Sequence, residues 1–112
     1  MKKILKPWGY EILFAITKDY AGKVLFIKKG EELSYQYHRK KEETIYLFKG
    51  SIRIVFQSAG MKKTLRLSAG SGFHIPPMMK HRIAAIIDSY IFEVSTPHLD
   101  DVVRLEDRYG RT

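Results

Sequence analysis

Hydrophobic and polar residues alternate along most of the chain in short runs that have the length of β-strands. Aromatic and β-branched residues are common in these runs, and glycine-containing or polar turns separate them, as is typical of strands. The runs that predict strands are residues 8–16, 23–27, 44–48, 51–56, 62–67, 73–75, 80–87 and 90–94. Many short strands at close spacing predict an all-β sandwich or barrel.

The C-terminal segment is the one place where the pattern changes. Leu99, Asp100 and Asp101 could begin a short helix that extends over residues 100–108. The apolar residues of this segment are too few to define a helical face. We therefore predict a short helix or a loop here.

Residues 30–50, GEELSYQYHRKKEETIYLFKG, contain the first candidate chemistry. Gln36 and His38 are two residues apart in an alternating run, so their side chains leave the same face of a strand. The polar residues 39–42 predict a turn, after which Glu43 begins the next apolar run. A hairpin of this form would place Glu43 beside Gln36 and His38.

His81 supplies a fourth candidate ligand from a distant part of the sequence. It is in phase with Ile83 and Ala85, and its side chain is therefore expected on the apolar inner face. A lone buried histidine is more often a hydrogen-bonded core residue, but three other potential ligands at the same cavity favour ligation. One amide oxygen, two imidazoles and one carboxylate suit a single divalent ion per chain, with Zn preferred and Mn, Fe, Co or Ni also compatible.

These two stretches resemble the two cupin motifs. The residues that match the spacing of the motifs are Gly30, Gln36, His38, Glu43 and Gly50 in the first and Gly70, Pro76 and His81 in the second. Gln36 stands where many cupins have histidine, Met78 where glycine is usual, and Ala85 where asparagine is usual. The resemblance also favours Glu43 over Glu42, because six residues separate Glu43 from Gly50.

Both ends of the chain resemble the cupin domain of type II phosphomannose isomerases. The matching stretches are Lys6-Pro7-Trp8-Gly9 and residues 100–111. This resemblance implies a cupin double-stranded β-helix, or jelly-roll barrel, as a single domain over residues 1–112. It also implies metal-dependent aldose–ketose isomerisation of a sugar phosphate such as mannose 6-phosphate. In those larger enzymes a nucleotidyltransferase domain usually precedes the cupin.

Composition and charge limit the other possibilities. The 112 residues suffice for one domain, and the absence of cysteine excludes disulfides and thiolate catalysis. The net charge of +8 favours an anionic partner, although a solvated basic surface explains it more simply. No basic block of the nucleic-acid-binding kind occurs, and no apolar run is long enough for a signal peptide or a membrane span. We expect a cytoplasmic protein without a nucleic-acid or membrane partner.

Several further residues are candidates for contact with a sugar or sugar phosphate. Glu93, on an otherwise apolar strand, is a candidate general base, with a structural salt bridge to an arginine as the alternative. Arg104 matches the arginine of the family's C-terminal motif and is a candidate for binding phosphate, or else pairs with Glu106 or Asp107. The remaining candidates are Arg82, beside a metal ligand, and His98; for His98, as for His74, a surface position is the simpler interpretation.

The sequence leaves three functions open. The first is the phosphomannose-isomerase-like reaction, with Glu93 and Arg104 as catalytic residues. The second is an Fe(II)-dependent oxygenase that uses two histidines and a carboxylate, although Gln36 would fill one position. The third is a non-enzymatic cupin that binds a sugar or nucleotide-sugar. Open sheet edges and the basic N-terminal segment additionally predict a homodimer.

Overall fold

Eleven β-strands and no helix form the fold in the computed structural model, which describes all residues 1–112. The strands are β1 (Lys2–Lys6), β2 (Gly9–Ile16), β3 (Ala21–Ile27), β4 (Tyr35–Tyr37), β5 (Glu43–Lys49), β6 (Ser51–Ser58), β7 (Met61–Ser68), β8 (Gly72–Ile75), β9 (His81–Ala85), β10 (Ser89–Ser95) and β11 (Val103–Glu106). The all-β prediction is confirmed. With no helix present, none is available to span a membrane.

The strands form two antiparallel sheets that enclose the core. One sheet has the order β1-β2-β3-β10-β5-β8 and the other the order β11-β4-β9-β6-β7. In β5, β9 and β10 alternate residues point between the sheets, as the sequence periodicity predicts, whereas most residues of β1 and β7 are exposed. The core residues are Trp8, Leu25, Ile27, Ile45, Leu47, Ile52, Ile54, Leu67, Ile75, Ile83, Ala85 and Ile91. This two-sheet arrangement is the cupin jelly roll expected from the resemblance.

Strand register brings candidate site residues into rows on the inner faces. In the five-stranded sheet, Gln36 is the register partner of His81 on one side and of Arg104 on the other. In the six-stranded sheet, Glu93 is the partner of Lys23. Residues directly opposite each other share one face, so polar side chains from both sheets meet at one end of the core.

The predicted hairpin between β4 and β5 does not form. β4 lies in the five-stranded sheet and β5 in the six-stranded sheet, so the chain between them crosses from one sheet to the other. Three backbone N–H groups in this crossing, those of residues 39–41, donate to the carboxylate of Asp101. These long-range bonds stabilise an open connection in place of a tight turn, and Glu43 meets His38 across the interior.

The C-terminal segment is a strand and not a helix. Val103 and Arg104 pair with Tyr37 and Gln36, which makes β11 the edge of the five-stranded sheet. A helix of this length is marginal in isolation. Pairing with an available strand edge therefore outweighs the weak helical signal.

Gly50 and Met78 have unusual backbone conformations. Gly50 connects β5 to β6 with φ of +115°, and a Cβ there would lie 2.3 Å from the Ser89 hydroxyl oxygen. Met78 has φ of +70° although it is not glycine, and its N–H donates to the His38 carbonyl at 2.6 Å. The cupin pattern has glycine at the position of Met78, and glycine would adopt this positive φ without backbone strain.

Candidate metal centre

Three of the four predicted ligands converge at one buried point. The Nε2 atoms of His38 and His81 lie 3.7 and 3.6 Å from Oε1 of Glu43. All three side chains are at most 4% exposed. Their ligand atoms lie within 4.8 Å of one another, a spacing that suits coordination of one ion. Glu43, and not the adjacent Glu42, faces the histidines.

Backbone carbonyls orient both imidazoles. Nδ1 of His38 donates to the carbonyl of Asp101 at 2.5 Å, and Nδ1 of His81 donates to the carbonyl of Met79 at 2.9 Å. A carbonyl can only accept, so each Nδ1 carries a proton and each ring directs its Nε2 toward the centre. In the neutral form of the ring, this Nε2 is the atom that can bind a metal. Neither Nε2 atom has a hydrogen-bond partner. Two buried nitrogens without hydrogen-bond partners, beside a carboxylate oxygen, are well suited to binding a divalent metal.

Glu43 remains ionised despite its burial. Burial alone would raise the pKa of Glu43, but contacts with His38 and His81 and the charge of Lys41 outweigh it and hold the pKa well below its usual range. An ionised carboxylate is the form that a metal requires.

Lys41 is a buried site residue that sequence reasoning missed. Its Nζ lies 3.0 Å from Oε2 of Glu43 and 3.0 Å from Oε2 of Glu93. Burial alone would lower the pKa of Lys41, but the two carboxylates raise it above its ordinary value. In the sequence Lys41 lies within a polar run that is typical of a turn. The only sign of a site role is its position two residues before Glu43, because residues two apart in an extended chain point to the same side.

Glu93 faces the interior beside this cluster. Burial and the negative charge of Glu43 raise the pKa of Glu93, and Lys41 offsets them only in part. Glu93 forms a salt bridge, as the alternative prediction stated, but its partner is Lys41 and not an arginine.

Asp101 is a second site residue that sequence reasoning missed. It stabilises the connection after β4, which contains His38 and Lys41. Its carboxylate accepts from the N–H groups of Arg39, Lys40 and Lys41 at 3.0, 2.6 and 2.8 Å. These backbone bonds lower the pKa of Asp101 to about 2. The sequence gives no local sign of this role, since the partners are some 60 residues away.

Gln36 lies next to the triad and lines the adjoining cavity with His38. Its amide oxygen accepts from the hydroxyl of Ser34 at 2.6 Å. Since Gln36 is the register partner of His81, its side chain occupies the same inner face. Gln36 therefore lies on the same face as the triad, with its amide oxygen hydrogen-bonded to Ser34.

A cavity of about 120 Å³ opens beside the triad. Five cationic side chains and two anionic ones line it: Lys6, Lys23, Lys41, Arg104 and Arg111, with Glu11 and Glu93. Arg104 is half-buried, and its Nε has no hydrogen-bond partner. The acidic residues suggested as its alternative partners bind elsewhere, because Arg111 holds Asp107 and Arg82 contacts Glu106. Nε of Arg104 thus has no protein acceptor, although Asp107 lies close enough for the two charges to interact.

The other sequence candidates lie outside this cavity. Arg82 points to the outer face of its sheet, where it contacts the Leu33 carbonyl at 3.2 Å and Glu106 at 3.5 Å. Alternation explains this, since Arg82 follows the inward His81. His98 is exposed in its loop and contacts Thr96 at 3.0 Å. His74 is also exposed and pairs with Glu42 at 2.6 Å.

A family model described as the mannose-6-phosphate isomerase C-terminal domain matches residues 1–107. The chain is 30% identical over 115 residues to the alginate biosynthesis protein AlgA of Pseudomonas aeruginosa, covering 98% of the chain and 23% of the relative. It is likewise 30% identical to the mannose-1-phosphate guanylyltransferase ManC of Salmonella typhimurium, covering 98% and 23%. The chain thus spans about a quarter of the length of these curated relatives.

The fold also matches solved structures. Oxalate decarboxylase from Bacillus subtilis superposes with a TM-score of 0.82 at 21% identity, covering 99% of this chain and 31% of that one. At such identity the match supports the cupin fold alone.

Proposed function

Because the chain belongs to the mannose-6-phosphate isomerase C-terminal family, we propose that it binds one divalent metal and interconverts an aldose phosphate and its ketose, with mannose 6-phosphate as the substrate. The observation that carries the proposal is the pair of partnerless Nε2 atoms facing Oε1 of Glu43, beside a cavity that contains Glu93 and Arg104. The relatives have names from sugar-phosphate and polysaccharide metabolism, which agrees with this substrate class.

His38, Glu43 and His81 are proposed to hold the metal, with Gln36 as a fourth ligand. When bound, the metal supplies Lewis-acid polarisation of a sugar oxygen. Zn is our first choice for its identity, and Mn is the main competitor because the structurally similar oxalate decarboxylase of Bacillus subtilis has Mn(II) centres.

Glu93 is proposed as the general base. In an aldose–ketose isomerisation one carboxylate removes a proton from the carbon next to the carbonyl and returns it to the neighbouring carbon. A raised pKa suits this role, since a base is more effective when its pKa approaches the working pH. Glu93 is buried and lines the cavity, so the proton would be shielded from bulk water.

Arg104 is proposed to bind the phosphate. Its guanidinium lines the cavity without a protein acceptor, and arginine binds phosphate through two parallel hydrogen bonds. The excess of cationic over anionic side chains around the cavity favours a dianionic ligand in the same way.

The test is conversion between mannose 6-phosphate and fructose 6-phosphate by protein loaded with Zn or Co. We expect Glu93→Gln to lower turnover with little change in KM. We expect Arg104→Ala to raise KM and to lower kcat/KM by roughly 10- to 150-fold, the effect of losing about 1.5–3 kcal/mol of charged hydrogen bonding. Arg53→Ala is the matched control, because Arg53 is exposed on the outer face of β6.

Lack of conversion by the wild type with either metal would reject the isomerase. Saturable binding of mannose 6-phosphate or a nucleotide-sugar in the same preparation would then support a binding domain. That second candidate is favoured by the name of a relative, ManC, which is that of a mannose-1-phosphate guanylyltransferase and not of an isomerase.

A further inference from the structure

The ammonium of Lys41 lies between two carboxylates at the edge of the metal centre. Nζ is 3.0 Å from Oε2 of Glu43 and 3.0 Å from Oε2 of Glu93, and the lysine side chain is 7% exposed. Of the two Glu43 oxygens, Oε1 faces both imidazoles and Oε2 faces Lys41. Lys41 thus contacts one oxygen of the Glu43 carboxylate and leaves the other facing the two histidines.

This arrangement has a specific consequence for coordination. A carboxylate whose two oxygens are both free binds a divalent ion with one or both of them, and a neighbouring carboxylate can add a further ligand. A buried divalent ion attracts every unpaired anion near it, because charges interact strongly away from water. Glu93 lies close enough to Glu43 for both to contact one Nζ atom, so it is a potential competitor for an open coordination position.

We propose that Lys41 is a positioning residue that keeps Oε2 of Glu43 and the carboxylate of Glu93 away from the metal, so that a coordination position stays open for the sugar. The inference rests on the metal centre of the proposed function. Lys41 acts through the two glutamates.

A purely structural lysine would give the opposite result for metal affinity. If Lys41 only held the connection in place, its loss would loosen His38 and Glu43 and weaken metal binding. If Lys41 withholds carboxylate oxygens, its replacement by an apolar side chain of similar length removes a positive charge and releases two anionic groups. Metal binding then becomes tighter.

The experiment uses Co²⁺ as the probe, because its visible spectrum reports the number of ligands. For Lys41→Met we expect a dissociation constant for Co²⁺, measured by chelator competition, at least about tenfold lower than that of the wild type. We also expect weaker visible bands, as the number of ligands rises. Lys41→Arg keeps the charge between the glutamates, and we expect it to restore the wild-type spectrum and affinity.

Two further variants keep the test decisive if Lys41→Met folds poorly. Lys41→Met with Glu93→Gln removes one cation and one anion, so the net charge of the cluster stays at its wild-type value. We expect its spectrum to change, because Oε2 of Glu43 is still released. Glu93→Gln alone leaves Lys41 on Glu43 and should keep the wild-type spectrum. A wild-type spectrum in both Lys41→Met proteins, or weaker Co²⁺ binding by Lys41→Met, overturns the inference while the metal centre stands. A wild type that binds no stoichiometric Co²⁺ overturns both.

Discussion

Replacing His81 by alanine tests the metal centre at its most buried ligand. The His81 side chain is 2% exposed, and its Nε2 atom lies 3.6 Å from Oε1 of Glu43. Alanine leaves His38 and Glu43 in place and removes one imidazole. A water molecule in the space left behind is a weaker ligand than the imidazole it replaces.

The size of the effect depends on the number of ligands. Four-ligand zinc sites in small domains bind with about 10–16 kcal/mol, so one ligand contributes about 2.5–4 kcal/mol on average. We therefore expect His81→Ala to bind Zn²⁺ about 10² to 10³ times more weakly. The hydrogen bond to the Met79 carbonyl is also lost, at a cost of about 1 kcal/mol in the free energy of unfolding.

The assay is chelator competition on protein purified without chelator, with metal content confirmed by elemental analysis. His74→Ala is the matched control, because His74 is an exposed histidine that pairs with Glu42 outside the cavity. Circular dichroism at the assay temperature confirms that each variant is folded. Wild-type affinity and full metal content in folded His81→Ala would refute the assignment.

Four further predictions concern stability and assembly. Saturating the wild type with Zn²⁺ at about 1,000 times its dissociation constant should raise the free energy of unfolding by about 4 kcal/mol; no shift in the denaturation midpoint would contradict a metal site in the native state. Because the pKa of Asp101 falls to about 2, its stabilising effect is complete above about pH 4 and is lost as the pH falls through about 2; acid titrations should show a shallower loss of stability in Asp101→Asn, and an unchanged profile would contradict this. Ala59 has φ of +52° in the two-residue turn that it forms with Gly60, so Ala59→Asn should stabilise the protein by about 0.5–1 kcal/mol in urea titrations; a lower midpoint would be the contrary result. The unpaired edge of β1 supports the predicted homodimer, and a monomer mass by light scattering at micromolar concentration would exclude it.

Local pattern was sufficient for most of the strands, although it missed β1 and predicted a helix or loop in place of β11. Alternation placed His81 on the inner face with Ile83, and the structure has it 1% exposed. The same alternation, applied to Arg82, would have placed it on the outer face, where the structure has it. Its selection as a substrate contact rested on its position beside a ligand in the sequence.

Long-range pairing is what the sequence could not supply. The turn residues between β4 and β5 suggested a hairpin, but the two strands belong to different sheets. Lys41 looked like a solvated turn residue because its two carboxylate partners are brought to it by folding, one of them from β10. In the same way, residues 103–106 form a strand because they pair with β4, although their local sequence weakly favours a helix.

The bonds between Asp101 and the connection after β4 have a consequence for the order of folding. They join residues about 60 positions apart, and closing a loop of that length is entropically costly until other contacts bring its ends together. His38 receives its orienting carbonyl from the same residue, Asp101. During synthesis the metal centre therefore cannot reach its final geometry until Asp101 has left the ribosome, although the last of its three clustered ligands, His81, emerges 20 residues earlier.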